Sequence, residues 1–386
     1  MIHRIVVVDQ YFPPDTSATA RIVEDFARAC RAANAPVAIV CGYPSYDAPS
    51  RPGWRPLRRV RADDGTRYVV GSTGFDRRNR FGRVSNYVTF MLGAALVLPF
   101  VVGHAAVVVM TDPPMAPLLA WSAKRTGRPA SVSVWIQDLH PDFGVAAGIV
   151  HDGMITQLWR RAMRAALRSA DQVVVLGRDM EQRVHALAEV PTRVVHNGWS
   201  GVEAAPPAPS ADDGRPLRVM HLGNLGFAGP WASVLGAARA LEGVAEFVFV
   251  GGGAAQDAFV DAPANVSLLP RVPHEEVAAL AASADLLLVG VRAGIEGYVV
   301  PSKGYEAMAL GRAVLCVSAP DSEMRLLVEE HGCGITVDDD PGAIVAALRA
   351  VSRAELAAMA DAACAAAPAY ARAVQFASLV SLLWSC

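Results

Sequence analysis

The chain of 386 residues is short of the features that assign a protein quickly. Its six cysteines (Cys30, Cys41, Cys316, Cys333, Cys364, Cys386) are scattered, with no Cys-x-x-Cys and no Cys/His pairing. They read as reduced thiols of a cytosolic protein. A formal charge of −2 gives no basic field for nucleic acid, and leaves one locally basic patch, Arg77, Arg78, Arg80 and Arg83. No Gly-x-Gly-x-x-Gly follows a strand. "VGGG" at 250–253 lacks the rest of that fingerprint, and Arg271 and Val272 stand about 20 positions on, where an acidic residue would hold a ribose. A nicotinamide cofactor is therefore not expected. No second His/Asp cluster at ligand spacing supports a metal site, so none is expected either. The opening "MIHRIVVVDQYF" enters a strand at once, and no signal peptide is expected.

What the chain has in quantity is apolar sequence, 53% of residues, in a length too great for one ordinary core. Short β-rich runs alternate with helical segments. Strands are expected at 4–9, 36–42, 105–111, 130–138, 172–177 and 192–199, with a helix over 18–34. The alternation breaks at "SGVEAAPPAPSADDGRP" (200–216), an interdomain linker by composition. A second series follows in "LRVMHLG", "AEFVFVGGG", "NVSLLP", "ADLLLVGV" and "AVLCVS", with helices at about 231–242, 275–283 and 303–310. This is an α/β protein with parallel sheets covered on both faces. The expected organisation is two Rossmann-like domains facing a cleft. The first is expected over residues 1–199 and the second over 200–371, while a C-terminal helix (372–386) packs back on the first.

One segment, "YVTFMLGAALVLPFVVGHAAVVVM" from Tyr87 to Met110, carries no formal charge and is long enough to span a bilayer. Pro99, Gly103 and His104 interrupt it. The pattern predicts an apolar helix over roughly 83–100 and then a buried strand. Lying behind an arginine cluster, that helix fits either a membrane surface or an internal packing role.

Ligands of open α/β sheets sit at strand carboxyl ends, and four loops there carry chemistry. In "FPPDTSATA", the small residues Ser17, Ala18 and Thr19 let backbone N–H groups approach an anion; an ordinary cap by Asp15, Thr16 or Ser17 is the alternative. "QDLHPD" places Gln137, Asp138, His140 and Asp142 within six residues. Its plain reading is a helix cap at Asp138 and a solvated His140. "GNLG" puts Gly223 and Gly226 around Asn224, a turn that permits a phosphate to approach. "VPSKGYEAMALG" sets Ser302, Lys303 and Glu306 at a helix start. Lys303 and Glu306 are one turn apart and can face one ligand. A lysine suits diphosphate and a carboxylate suits the paired hydroxyls of ribose, together a nucleotide-sugar. A local Lys–Glu pair is the alternative.

These motifs together resemble those of GT-B-fold, retaining glycosyltransferases of family 4, within it the bacterial capsule, O-antigen and exopolysaccharide enzymes. "QYFPPDTSATAR", "TDPP", "QDLHPDFGVAAG", "HNGW", "GNLG" and "VPSKGYEAMALGRAVLC" carry the resemblance over nearly the whole chain. It implies that Glu306 holds the nucleotide ribose and that Lys303 and Ser302 lie beside the diphosphate. Ser17 and Ala18 would close over the phosphates, and Gly223, Asn224 and Gly226 would form the donor turn. Arg271 is the next basic residue available to the phosphates. Three departures stand out. Tyr298 occupies the place of the first glutamate of the Glu-x7-Glu pattern, with Glu296 two residues early. Phe227 replaces a frequent basic residue, and Gln137 a frequent histidine.

The implied reaction moves a sugar from a UDP- or GDP-linked donor to an acceptor hydroxyl with retention. Lys303 would stabilise the leaving diphosphate, while Asp138 or His140 would orient or deprotonate the acceptor, with no metal. The resemblance also implies a lipid-linked saccharide acceptor and a cytoplasmic protein peripheral at the inner membrane face, in contact through 77–100. No nucleic-acid partner is expected. Three other readings stay open: a soluble glycosyltransferase acting on a small metabolite or antibiotic core, a non-catalytic nucleotide-sugar-binding partner subunit, and a GT-B-fold sugar-nucleotide epimerase.

Overall fold

A computed structural model describes residues 2–45, 57–62, 65–70, 73, 75, 79–201 and 214–384. The chain divides into two compact units, Met1–Leu176 with Glu181–His196 and Ala373–Cys386, and Gly177–Met180 with Asn197–Arg372. The residues between 202 and 213, most of the expected linker, lie outside the described set, as do Arg77 and Arg78.

In chain order the first part comprises β1 (Arg4–Val8), α1 (Ala18–Ala32), β2 (Val37–Cys41), β3 (Leu57–Ala62), β4 (Gly65–Val70), α2 (Arg80–Val101), β5 (Ala105–Met110), α3 (Leu118–Arg125), β6 (Ser131–Trp135), α4 (Asp142–Ala146), α5 (Met154–Ser169), β7 (Gln172–Val175), α6 (Arg178–Leu187) and β8 (Thr192–Val194). Its eight strands form one sheet in the order β3-β4-β2-β1-β5-β6-β7-β8, parallel except for the β3–β4 hairpin. Residues of β1 such as Val7 pair with Ile39 on one side and Val108 on the other. Strands β1, β2, β5 and β6 are buried almost throughout, which is why they read as unbroken apolar runs.

The second part comprises β9 (Leu217–Leu222), α7 (Trp231–Ala240), β10 (Ala245–Val250), β11 (Val266–Leu269), α8 (Val277–Ala281), β12 (Leu286–Gly290), α9 (Lys303–Ala309), β13 (Ala313–Val317), α10 (Glu323–His331), β14 (Gly334–Val337), α11 (Pro341–Ala350) and α12 (Arg353–Ala366). Its sheet, β11-β10-β9-β12-β13-β14, is parallel throughout. A final helix, α13 (Arg372–Trp384), inserts Phe376 edge-on between Phe26 of α1 and Trp135 of β6 in the first unit.

Some expected elements come out differently. The helix expected over 275–283 is a tight turn at His274–Glu276 followed by the five residues of α8. The strand expected to run to 199 stops at Val194, and Gly198 turns in the left-handed region at φ 56. The expected apolar helix is α2, of 22 residues. By length and composition it is apolar enough to cross a membrane. One face, with Phe90, Ala94, Leu98 and Val101, is buried in the first unit, while Phe81, Val84, Val88, Leu92, Leu96 and Phe100 form an exposed stripe. The spacing of three or four residues puts that stripe on a single face.

Candidate active site

Both sheets reverse direction at one place. In the first, the chain winds outward from β1 to β2 and from β5 to β8; in the second, from β9 to β11 and from β12 to β14. Loops leaving the central strands therefore diverge at the carboxyl edge and open a crevice there. The sequence-predicted residues sit on those loops.

In the second unit, β9 leads into Gly223, β10 into Gly251 and β12 into the loop before α9. Gly223 has φ 134 and donates its N–H to Val250 O at 2.9 Å. A Cβ on Gly223 would stand 2.6 Å from Lys303 Cε, so the lysine stem lies directly against this turn. Gly251, at φ 129, is as constrained, since a Cβ there would meet Gly223 O at 2.2 Å. Both positions require glycine. Asn224 is exposed at the tip. Gly226 O accepts from Trp231 Nε1 at 2.7 Å, which fixes the far side of the turn. Behind it His221 is buried, its Nδ1 3.1 Å from Leu288 O, and burial holds its pKa below the ordinary value.

Lys303 opens α9 and its Nζ donates to Glu306 Oε2 at 2.8 Å. Their side chains are 38% and 27% exposed. A pair this open is worth about 0–1 kcal/mol, so an incoming diphosphate and ribose can separate it at little cost. Ser302 precedes the helix without a side-chain capping bond. Because α9 has only seven residues, the positive charge here resides mainly on Lys303 rather than on a helix dipole. Arg271 is exposed in the loop after β11. Phe227 is exposed too. Glu296 is buried and its Oε2 accepts from Gly294 N at 2.7 Å, tying together the loop before α9. Tyr298 is half-buried nearby, its N–H donating to Ile295 O. A separate cavity of about 320 Å³, lined by Arg218, Glu246 and Ser267 among others, contains none of these residues.

In the first unit the switch between β1 and β5 is stitched by Gln10 N–H to Asp112 O (2.9 Å) and by Thr19 Oγ1 to Asp112 Oδ2 (2.6 Å). Ser17 caps α1, its Oγ accepting from Ala20 N at 3.0 Å, with Ala18 as the first helical residue. Thr111 Oγ1 accepts from Gln137 N at 2.9 Å and so positions the "QDLHPD" loop. Asp138 does not cap the next helix: α4 starts at Asp142 after Pro141, with no side-chain cap. Burial, and then the charge of Asp112, push the Asp138 carboxyl from 3.8 up to about 7. Asp9, fully buried, is raised well above its usual range by the same two causes. His140 is not a solvated loop histidine. Its ring stacks on Trp159 (6.1 Å, 9°) and meets Phe143 edge-on, and burial lowers its pKa to about 4. It is neutral at pH 7. Asp142 is taken by Arg160 Nε at 2.6 Å. Sequence reasoning gave no role to Asp9, Gln10 or Asp112, although Gln10 and Asp112 lie in the motifs "QYFPPDTSATAR" and "TDPP".

Comparisons with known proteins identify the family. Residues 17–198 match the glycosyl transferase 4-like domain, and residues 222–353 match glycosyl transferases group 1. A probable glycosyltransferase of Pseudomonas aeruginosa, WbjE, is 30% identical over 215 residues. That alignment covers 52% of this chain and 54% of WbjE, about half the length of the curated relative. An E. coli trehalose-6-phosphate structure bound with UDP-2-fluoro glucose superposes with a TM-score of 0.69 at 12% identity, covering 99% of both chains. Anabaena HepE in complex with UDP gives 0.65 at 15% identity, again over 99% of both. WaaG, a glycosyltransferase involved in lipopolysaccharide biosynthesis, gives 0.61 at 14% identity over 98% of this chain and 99% of that one. With its two sheets, its loops at the switch points and a 4-like domain followed by a group 1 domain, the chain belongs to the GT-B glycosyltransferases.

Proposed function

We propose that this protein transfers a sugar, with retention, from a UDP- or GDP-linked donor to a hydroxyl of a lipid-linked saccharide in cell-surface polysaccharide synthesis. The observation that carries the donor half is the Lys303 stem lying against the Gly223 turn, with Glu306 one helical turn on. Lys303 would take the diphosphate, Gly223, Asn224 and Gly226 would line it, and Glu306 would take the ribose hydroxyls. The UDP bound to HepE favours a uridine donor.

In the reaction the bond between the anomeric carbon and the phosphate oxygen breaks, and its electron pair leaves on the diphosphate. The acceptor oxygen forms the new bond from the same face, which preserves configuration. Lys303 offsets the charge that develops on the leaving group, an electrostatic role that requires no metal. The acceptor proton passes to Asp138, whose raised pKa places it near working pH. Neutral His140, held by Trp159, orients the loop that carries Asp138.

The exposed apolar stripe of α2 and the arginines at its start support the lipid-linked acceptor and a peripheral position at the inner membrane face. WaaG, of lipopolysaccharide biosynthesis, favours the same kind of acceptor. A thermal-shift screen of UDP-, GDP- and dTDP-sugars tests the donor half, because a ligand bound to the folded state alone raises the melting point. Stabilisation by one nucleotide series, with release of that nucleotide only when acceptor is added, is the expected result. No stabilisation by any nucleotide-sugar at millimolar concentration would overturn it. NMR of the product's anomeric configuration tests retention.

A further inference from the structure

The first unit carries a second apolar surface that α2 does not account for. In the first two turns of α5, Met154, Ile155 and Leu158 are 85%, 82% and 66% exposed, and Ile149, just before, is 52% exposed. Single exposed apolar residues are ordinary on a protein surface, but a cluster like this is not. These turns are also firmly held. Thr156 Oγ1 accepts from Gly153 N at 2.8 Å and donates to Asp152, and Arg160 bonds both Asp142 and Asp152. Further along, α5 buries Met163, Ala166 and Leu167.

α5 packs on α3 and α3 on α2, so the three helices form one layer. Helices that connect parallel strands run back against them, so the amino ends of α2 and α5 both lie at the carboxyl edge of the sheet, the edge that carries Asp138. Charge on the helices of this layer is positive. α2 contributes two Arg, α3 one Lys and one Arg, and α5 four Arg, and none of the three helices contains an Asp or Glu. Arg161, Arg164 and Arg168 are exposed beyond Leu158. On α3, Arg125 lies 4.7 Å over the half-exposed Trp121 ring.

An apolar surface with an excess of cations, whose neighbouring carboxylates Asp142, Asp152 and Asp171 are paired with Arg160 and Lys124, fits a bilayer with anionic headgroups, where apolar side chains enter the acyl boundary and arginines reach the phosphates. A second copy fits poorly, because a two-fold interface would set like charges against each other. We propose that the first two turns of α5 are a second membrane-inserting element on an anionic bilayer. One helix lying on a surface leaves the protein free to roll about that helix's axis. A second contact displaced from the axis stops the roll and keeps the carboxyl edge of the first sheet beside the headgroups. The inference rests on the membrane reading given above.

The test uses the full chain with Ile155→Glu and Leu158→Glu together, both at exposed positions, and an unchanged melting point verifies the fold. Co-sedimentation with phosphatidylglycerol vesicles is compared with phosphatidylcholine vesicles, alongside hydrogen exchange of residues 154–158. We expect wild type to bind the anionic vesicles selectively, the double variant to bind at least about tenfold more weakly, and exchange at 154–158 to slow on vesicles. Equal binding by wild type and variant, with no protection at 154–158, would overturn the α5 assignment while leaving α2 as an anchor. Absence of wild-type binding to any vesicle would overturn the membrane reading itself, and this inference with it. A lipid-free dimer abolished by the double variant would assign the face to a second copy instead.

Discussion

Asp138→Asn separates an electrostatic claim from a catalytic one. In the folded protein burial and Asp112 raise the carboxyl from 3.8 to about 7. Below pH 4 the group is protonated in both folded and unfolded chains and contributes nothing to pH dependence. As pH rises from 4 to 7 the unfolded chain loses the proton first, so the folded state is progressively penalised. Above the folded pKa the penalty is complete. At about 1.4 kcal/mol per pH interval of one, it approaches ~4 kcal/mol, a ceiling because Asp138 is only half-buried. Asparagine keeps the shape and carries no such penalty. The stability difference between variant and wild type should therefore be flat below pH 4 and grow in the variant's favour up to about pH 8. Denaturant midpoints at pH 4, 6 and 8 measure it. Trp135, buried in the first sheet, is one reporter of the unit that carries Asp138. If Asp138 also accepts the acceptor's proton, wild-type turnover rises with pH through about 7, and the variant loses turnover on the order of 10²–10⁴-fold. Parallel midpoints for both proteins across the whole range would refute the raised pKa. Retained turnover with diverging midpoints would refute only the catalytic role.

Three further substitutions probe the donor side. Glu306→Gln should weaken nucleotide diphosphate binding by about 1.5–3 kcal/mol, read by calorimetry, with the fold intact; an unchanged dissociation constant removes Glu306 from the ribose. Lys303→Ala should lower turnover at least about 100-fold, the scale of losing one charge contact to the leaving group. Activity within a few-fold of wild type would move that role elsewhere, with Arg271 the next residue to replace. Gly251→Ala places a Cβ 2.2 Å from Gly223 O at a φ that alanine avoids, so the Gly223 turn must shift. A stability loss of roughly 1–3 kcal/mol from strain, read as a lower melting point, together with weaker nucleotide binding, is expected; wild-type values for both would show that the turn yields freely.

How much of this was legible in the sequence depended on burial. Strands such as "AAVVVM" are buried on both faces, and their apolar runs announce them. The hairpin β3–β4, "LRRVRA" and "GTRYVV", went unread because it lies at the sheet edge. There Arg58, Arg59 and Arg61 point into solvent and no apolar periodicity survives. α10, α11, α12 and β14 were likewise not assigned. The two alternatives offered for Ser302, Lys303 and Glu306 turned out to be compatible: the local ion pair exists, and its openness is what leaves both groups available to a ligand. For His140, in the loop before α4, the local reading failed because its stacking partner, Trp159, lies 19 residues on, in α5.

The limit is one of strand order rather than of strand position. A sequence shows where each strand ends, and in a parallel sheet every strand end lies at the same edge. It does not show which ends are neighbours. Asp9 and Asp112 each follow an apolar run, and Asp138 stood out only within its own "QDLHPD" loop. They become a group that shifts its own members' pKa values only because β1, β5 and β6 are adjacent in the sheet. Gly223 and Lys303 meet for the same reason, since β9 and β12 are neighbours across the switch point. Motif reading therefore recovers the residues of such a site one loop at a time, and their coupling, which sets protonation and the cost of substitution, appears once the order of the strands is fixed.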